Sequence, residues 1–166
     1  LIERLGDPVT EIQIIACEYL ARLGARQAAP AIAALAQAPR PPELRRAAID
    51  ALGAVGDAAQ VPLLLETLGD VDPILARAAA NALAYLGAPA ATARLGAIAR
   101  HPGRNQAIVV RAWGASLRDR PDPSARRTLI ELAETGHPDA ALAAIGALAA
   151  MGDRDARPAL AALVVG

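Results

Sequence analysis

The feature that most constrains this chain is a segment that recurs along it. Pro42-Glu-Leu-Arg-Arg-Ala-Ala-Ile-Asp-Ala-Leu-Gly-Ala-Val-Gly56 lies over Pro73-Ile-Leu-Ala-Arg-Ala-Ala-Ala-Asn-Ala-Leu-Ala-Tyr-Leu-Gly87 without a gap. Pro138-Asp-Ala-Ala-Leu-Ala-Ala-Ile-Gly-Ala-Leu-Ala-Ala-Met-Gly152 fits the same template. Two further copies, ending at Leu20-Ala-Arg-Leu-Gly24 and surrounding Trp113-Gly-Ala-Ser-Leu117, need a shift of about one residue. A period of about 31–34 residues is the length of one helix pair, a unit that buries its apolar face only against its neighbours.

A second helix is expected after each copy. Pro30-Ala-Ile-Ala-Ala-Leu35, Pro62-Leu-Leu-Leu-Glu-Thr-Leu68 and Pro158-Ala-Leu-Ala-Ala-Leu163 share a Pro near their start, where its missing N–H has no intrahelical partner in any case. Ala93-Arg-Leu-Gly-Ala-Ile98 and Arg127-Thr-Leu-Ile-Glu-Leu132 read as the same element without the Pro. Gly24, Gly56, Gly87 and Gly152 sit where a left-handed residue would end the first helix. Asp7, Asp57 and Asp72 sit at N-cap positions or in the turn before one. The repeats then run 8–39, 40–70, 71–102, 103–135 and 136–166. Leu1-Ile-Glu-Arg-Leu-Gly-Asp7 aligns with Leu64-Leu-Glu-Thr-Leu-Gly-Asp70, so residues 1–7 read as the close of a preceding repeat and the chain as a section of a longer array. The fold class that follows is all-α, an α-solenoid of stacked antiparallel helix pairs.

Composition agrees. The chain is 54% apolar yet only 2% aromatic, with no Phe. Ala and Leu must fill the core, which suits closely spaced helices and not a β-sandwich. All 17 basic residues are Arg. Abundant Ala, Gly and Pro make GC-rich codon usage one reading, and selection for bidentate anion contacts is the other. The single cysteine, Cys17, rules out an internal disulfide and occupies a slot held elsewhere by small apolar residues. No apolar run is long enough to span a bilayer, and a cytoplasmic, bacterial setting is expected.

The sequence resembles the HEAT-like repeats of phycobilin lyases. Asp72-Pro73, Arg46, Arg77, Leu52-Gly53, Gly56-Asp57, Gly152-Asp153 and Pro62 carry the likeness. The resemblance implies the solenoid fold over nearly the whole chain. It implies little about function, since such repeats serve unrelated tasks.

Two departures from the repeat point to a site. The fourth repeat lacks an Asp-Pro start, has Arg118 in place of the helix-ending Gly, and carries a longer turn, Asp119-Arg-Pro-Asp-Pro123. Trp113 there fills the slot of Leu20, Leu52, Leu83 and Leu148, so a core role is expected; a stacking platform would need the ring exposed. Charge is also uneven. Residues 1–72 carry net −4, residues 73–127 net +7, and residues 128–166 net −3. Arg94, Arg111, Arg126, Arg127 and Arg157, with Trp113, are the candidate binding residues. Second helices usually line a solenoid's concave side, and a ladder of Arg along it would suit an anionic partner. Solvated arginines near helix C-termini are the alternative.

Catalytic chemistry finds no constellation. His101 and His137 precede Pro in turns with no ligand at metal spacing. Deoxyhypusine hydroxylase, a HEAT-like enzyme, builds its di-iron site from His-Glu pairs, and this chain has none. Gly53-Ala-Val-Gly56 lacks the Lys of a phosphate loop. No metal, cofactor or catalytic residue is therefore expected. The first expectation is a non-enzymatic scaffold that binds an acidic protein segment or another domain of the parent protein on its concave face. The second is nucleic-acid binding, in the manner of the HEAT-like alkylpurine DNA glycosylases, and the third is bilin lyase or chromophore-handling activity.

Overall fold

A computed structural model describes residues 1–37, 39–87, 89–118 and 122–151. The helices are α1 (Thr10–Arg22), α2 (Ala29–Ala36), α3 (Pro42–Val55), α4 (Val61–Thr67), α5 (Pro73–Leu86), α6 (Pro89–Ala99), α7 (Gln106–Leu117), α8 (Pro123–Thr135) and α9 (Pro138–Ala150), with short 3-10 turns at Ile2–Gly6, Arg26–Ala28 and Ala58–Gln60. The described residues contain no strand. The chain divides into two compact units, Leu1–Ala91 and the part from Thr92 onward.

Helix starts follow local chemistry. The Asp72 carboxylate accepts the Ile74 N–H at 2.8 Å and caps α5, and Asp122 accepts from Ser124 at 2.8 Å to cap α8. Asp57 and Gln60 form a reciprocal capping box on the 3-10 turn that leads into α4. Asp7 accepts from Val9 at 3.0 Å, one turn before α1. Pro30 and Pro62 lie in the first turns of α2 and α4. The second helices of the third and fourth repeats also start on Pro, at Pro89 and Pro123. The expectation that these two lack the proline is thereby corrected, because both helices begin about one turn earlier than the Leu pattern alone suggests. Pro158 lies outside the described residues.

Within the first unit α1 packs on α3 and α3 on α5, with α2 against α3 and α4 against α5. Within the second, α7 and α8 both pack on α9. First helices contribute Leu20, Leu52, Leu83 and Leu148 to the core, and second helices contribute Ile32, Leu64, Leu95 and Leu129; none of these is more than 2% exposed. Each such side chain contributes roughly 1.5–3 kcal/mol on burial. First helices approach closely because small residues face each other. A Cβ on Gly53 would lie 3.1 Å from the Ala82 Cα, and one on Gly114 would lie 2.9 Å from the Ala147 Cα.

A polar device recurs at the joints. The fourth residue of the first helix, or its register equivalent, reaches back to the carbonyl that closes the preceding helix. Gln13 donates to the Leu5 carbonyl at 2.9 Å, Arg45 to Ala36 at 3.1 Å and Gln106 to Ala99 at 2.9 Å. The last carbonyls of a helix have no intrahelical donor, so a side-chain donor there satisfies a group that burial would otherwise strand. Replacing Gln13 or Gln106 by Leu should destabilise by about 1–3 kcal/mol, the penalty of a stranded buried acceptor. Urea titrations should show a lower midpoint with an unchanged slope.

Arg45 does more than its equivalents. Its second nitrogen meets the Asp70 carboxylate at 2.9 Å, and both side chains are over four-fifths buried. The Asp72 N–H holds the Asp70 carboxyl below the usual carboxylate range; burial opposes this and the Arg45 guanidinium reinforces it. The residues expected to carry the repeat's arginine, Arg46 and Arg77, are both exposed, and Arg46 pairs with Asp50 one turn on, at 3.2 Å.

Candidate functional site

The second unit holds the predicted site residues that the structure describes. Arg94 on α6, Arg111 on α7 and Arg127 on α8 are exposed, and Arg126 is half-buried. Arg157 lies outside the described residues. Among the described residues none of Arg94, Arg111 and Arg127 forms an ion pair. Among the described residues no partner neutralises their charge, and the exposed side chains present it to solvent.

The core sets the register between α6 and α8. Leu95 and Leu129 are both fully buried, as are Ala91 and Ala125 to within 1%. Arg94 therefore takes the position of Thr128, whereas Arg127 takes that of Ala93 and Arg126 that of Thr92. One step along an α-helix turns a side chain by about 100°. Arg94 cannot line up with Arg126 or Arg127, so an arginine ladder drawn through these three is not what the helices build. The register match of Arg126 with Arg157 falls outside the described residues.

Trp113 is 3% exposed and offers no stacking face. Its indole packs against Gly96, where any Cβ would come within 2.8 Å of the ring carbons. The Arg100 guanidinium lies 6.0 Å from the ring centroid and interacts favourably with the Asp122 carboxylate at the start of α8. Backbone and side-chain hydrogen bonds from Ser124 hold that carboxyl below its ordinary range, and Arg100 adds to the effect. Trp113 is thus a core residue, and its inclusion as a binding residue is corrected. Sequence reasoning misses Arg100, whose place at the end of α6, facing the only indole of the chain, emerges only from the packing.

A hollow of about 280 Å³ opens beside the starts of α7 and α9, lined by Arg104, Gln106, His137 and Asp139 among others. The Gln106 amide there is already committed to Ala99. His137 and Asp139, 4.0 Å apart, are both more than 70% exposed. Groups this exposed have no preorganised partner to activate. Cys17 is fully buried in the first unit, and burial pushes its thiol up to about 11, which leaves no thiolate for chemistry. Among the described residues no group of three His, Cys, Asp or Glu side chains is placed to hold a metal ion. No helix among them is long and apolar enough to cross a membrane.

Stacked helix pairs with small residues between first helices and side-chain donors at the joints define an all-α solenoid of repeats. The HEAT repeats family matches this chain over residues 1–84 and 40–115, and the chain belongs to that family. No curated protein gives a sequence match. Among solved structures the chain is similar to one from the complex of CpcE and CpcF of phycocyanin lyase from Nostoc sp. PCC7120. That likeness has a TM-score of 0.57 and 21% identity and covers 96% of this chain and 79% of that one. At that identity it establishes the fold and nothing further.

Proposed function

We propose that this chain is a binding scaffold for a protein partner, and that its second unit receives an acidic segment of that partner. The observation that carries the reading is the set of three exposed guanidinium groups, Arg94, Arg111 and Arg127, which form no ion pair among the described residues. An acidic peptide gains three charge-assisted contacts there without breaking an existing pair. The solved structure with the similar fold is a complex of two lyase subunits, which supports a protein as the class of partner. Because the arginines occupy different registers, the partner segment is recognised by the field of the surface and not by a single regular groove.

Trp113 supplies the assay. It is the only tryptophan, and Arg100 beside it responds to charge arriving at the unit. Titration with a poly-glutamate peptide should change its fluorescence. Replacing Arg94, Arg111 and Arg127 by Glu should weaken that binding by about a hundredfold, roughly 1 kcal/mol per lost contact. A duplex or single-stranded oligonucleotide serves as competitor. Tighter binding of the oligonucleotide with a steep salt dependence would replace the acidic-peptide reading by nucleic-acid binding. No response to either ligand would end both. The chromophore-handling reading is tested separately by visible absorbance on mixing with a bilin.

A further inference from the structure

The most exposed large apolar side chain among the described residues is Tyr85, 82% accessible in a chain that has only two tyrosines and one tryptophan. It lies near the end of α5. Ile74, 61% exposed, lies in the first turn of the same helix. Residues 74, 77, 81 and 85 follow at i, i+3, i+7 and i+11, a spacing that keeps them on one face over about 16 Å. That face carries Ile74, Arg77, Asn81 and Tyr85, all exposed, while Leu75, Ala79 and Leu83 turn into the core.

This stripe is not a stacking face. First helices stack through Ala82 against Gly53, and the register equivalent of Gly53 and Gly114 on α5 is Ala84. Ile74, Asn81 and Tyr85 lie between those two sides, on the part of a first helix that faces solvent whatever repeats flank it. Nor does the repeat require their chemistry. With Leu83 aligned to Leu20, Leu52, Trp113 and Leu148, the position of Ile74 is Glu11, Glu43, Arg104 and Asp139, a charged residue in every other repeat. The position of Tyr85 is Arg22, Ala54, Ala115 and Ala150.

The charge between the two apolar side chains says what they meet. In α3 the equivalent of Arg77 is Arg46, which pairs with Asp50 one turn on at 3.2 Å. On α5 Asn81 takes the place of that acid, and residues 73–86 contain no Asp or Glu at all. Arg77 accordingly forms no ion pair among the described residues. Its guanidinium is left for a carboxylate from outside, with the Asn81 amide beside it as a further donor. A stripe one side chain wide and parallel to the helix axis is the footprint of a second helix, whose own side chains return at the same rise. Tyr and Arg are the residues on which such contacts most often depend.

We infer that the outer face of α5 is a docking site for an amphipathic helix of a partner protein, which places apolar side chains over Ile74 and Tyr85 and a carboxylate against Arg77. The site belongs to the first unit and does not rest on the acidic-segment reading of the second.

The probe is a fluorescein-labelled, Ala-based helical peptide of about 15 residues, with Leu at both ends of one face and Glu in its middle. Fluorescence anisotropy with the full chain at low salt should show binding with a dissociation constant between about 10 and about 500 µM, the range of a small helical contact. The variant with Arg94, Arg111 and Arg127 replaced by Glu should bind equally well. Tyr85→Ala and Arg77→Glu should each weaken binding at least about tenfold, while circular dichroism and melting temperature stay unchanged because both side chains are exposed. Arg77→Glu should regain affinity for a peptide whose central Glu is Lys. Absence of binding in this range overturns the inference, as does binding that survives Tyr85→Ala or a charge swap that restores nothing. Binding lost in the Arg94, Arg111 and Arg127 variant also overturns it, and leaves the acidic-segment site of the second unit standing.

Discussion

Gly114→Leu should unfold the second unit at temperatures where the wild-type chain is folded. A Cβ at that position would lie 2.9 Å from the Ala147 Cα and closer still to its Cβ, so the obstacle is the backbone of α9 itself and not the tip of a flexible side chain. Relief requires α7 and α9 to separate, which opens the packing around Ala143, Ala144 and Leu148, all buried. Overpacking of this kind costs about 3 kcal/mol or more when a rigid element must move. Gly114→Ala isolates the effect, because helix propensity favours Ala by about 1 kcal/mol and only sterics oppose it. A net loss of stability in that variant identifies the clash. Gly146→Ala is the control. Gly146 lies in α9, is exposed, and a methyl group added to it would meet no atom within 4 Å, so the same exchange should stabilise by about 0.5–1 kcal/mol. Thermal unfolding followed through Trp113 fluorescence reads all three. A Gly114→Ala variant as stable as Gly146→Ala would show that first helices do not stack through this contact.

That contact illustrates how far the sequence can be read. Periodicity reveals the helix pairs, since Leu20, Leu52, Leu83 and Leu148 recur at one position and all lie in the core. Glycine is legible through one mechanism only. Gly24 and Gly87 are left-handed, with φ of 62° and 56°, as a helix-ending residue should be. Gly56 stands in the equivalent place with φ of −72°, an extended conformation open to any residue. Its lack of a side chain serves a different need, because a Cβ there would come within 2.5 Å of the Leu52 carbonyl oxygen. Gly152 lies outside the described residues. Similarly Gly53 and Gly114 look like weak points within helices, and only the partner helix explains them.

Charged residues are harder still. Two adjacent arginines, Arg45 and Arg46, are equivalent to any argument from composition. The helix turns one inward to Ala36 and Asp70 and leaves the other paired to Asp50 at the surface. The likeness to the repeat family falls on Arg46, one position from the side chain that joins the repeats. The candidate arginines stand out as a block of charge, which sequence reports well. Their directions depend on register within each helix, and a one-residue offset between Arg94 and Arg127 is enough to keep those two from lining up. Burial in a repeat protein is set by neighbours about 30 residues away.

The same reasoning makes Trp113 the other site of large effect, and it identifies a compensating partner. In register, the residue after the buried Leu or Ile of each second helix is Ala33, Leu65, Gly96 and Ile130. The residue of the following first helix that enters the core is Leu52, Leu83, Trp113 and Leu148 in the same order. The one indole stands opposite the one glycine. Gly96 provides the room that Trp113 occupies, as the 2.8 Å approach of a Cβ to the ring shows. Trp113→Leu alone should destabilise by about 2–5 kcal/mol, through lost burial and the cavity left over Gly96. Gly96→Leu alone should be at least as severe, because the side chain is driven into the ring. Together they exchange a large–small pair for the medium–medium pair used at Leu65 and Leu83, with total volume nearly kept. Residues in direct contact couple by about 0.5–3 kcal/mol, and the double variant should recover at least that much of the summed losses. Chemical denaturation followed by far-ultraviolet circular dichroism measures the cycle, since the indole is removed in two of its corners. Additive losses would show that Gly96 does not accommodate Trp113. Recovery would establish that the irregular fourth repeat is an ordinary repeat whose core volume has been redistributed across one joint.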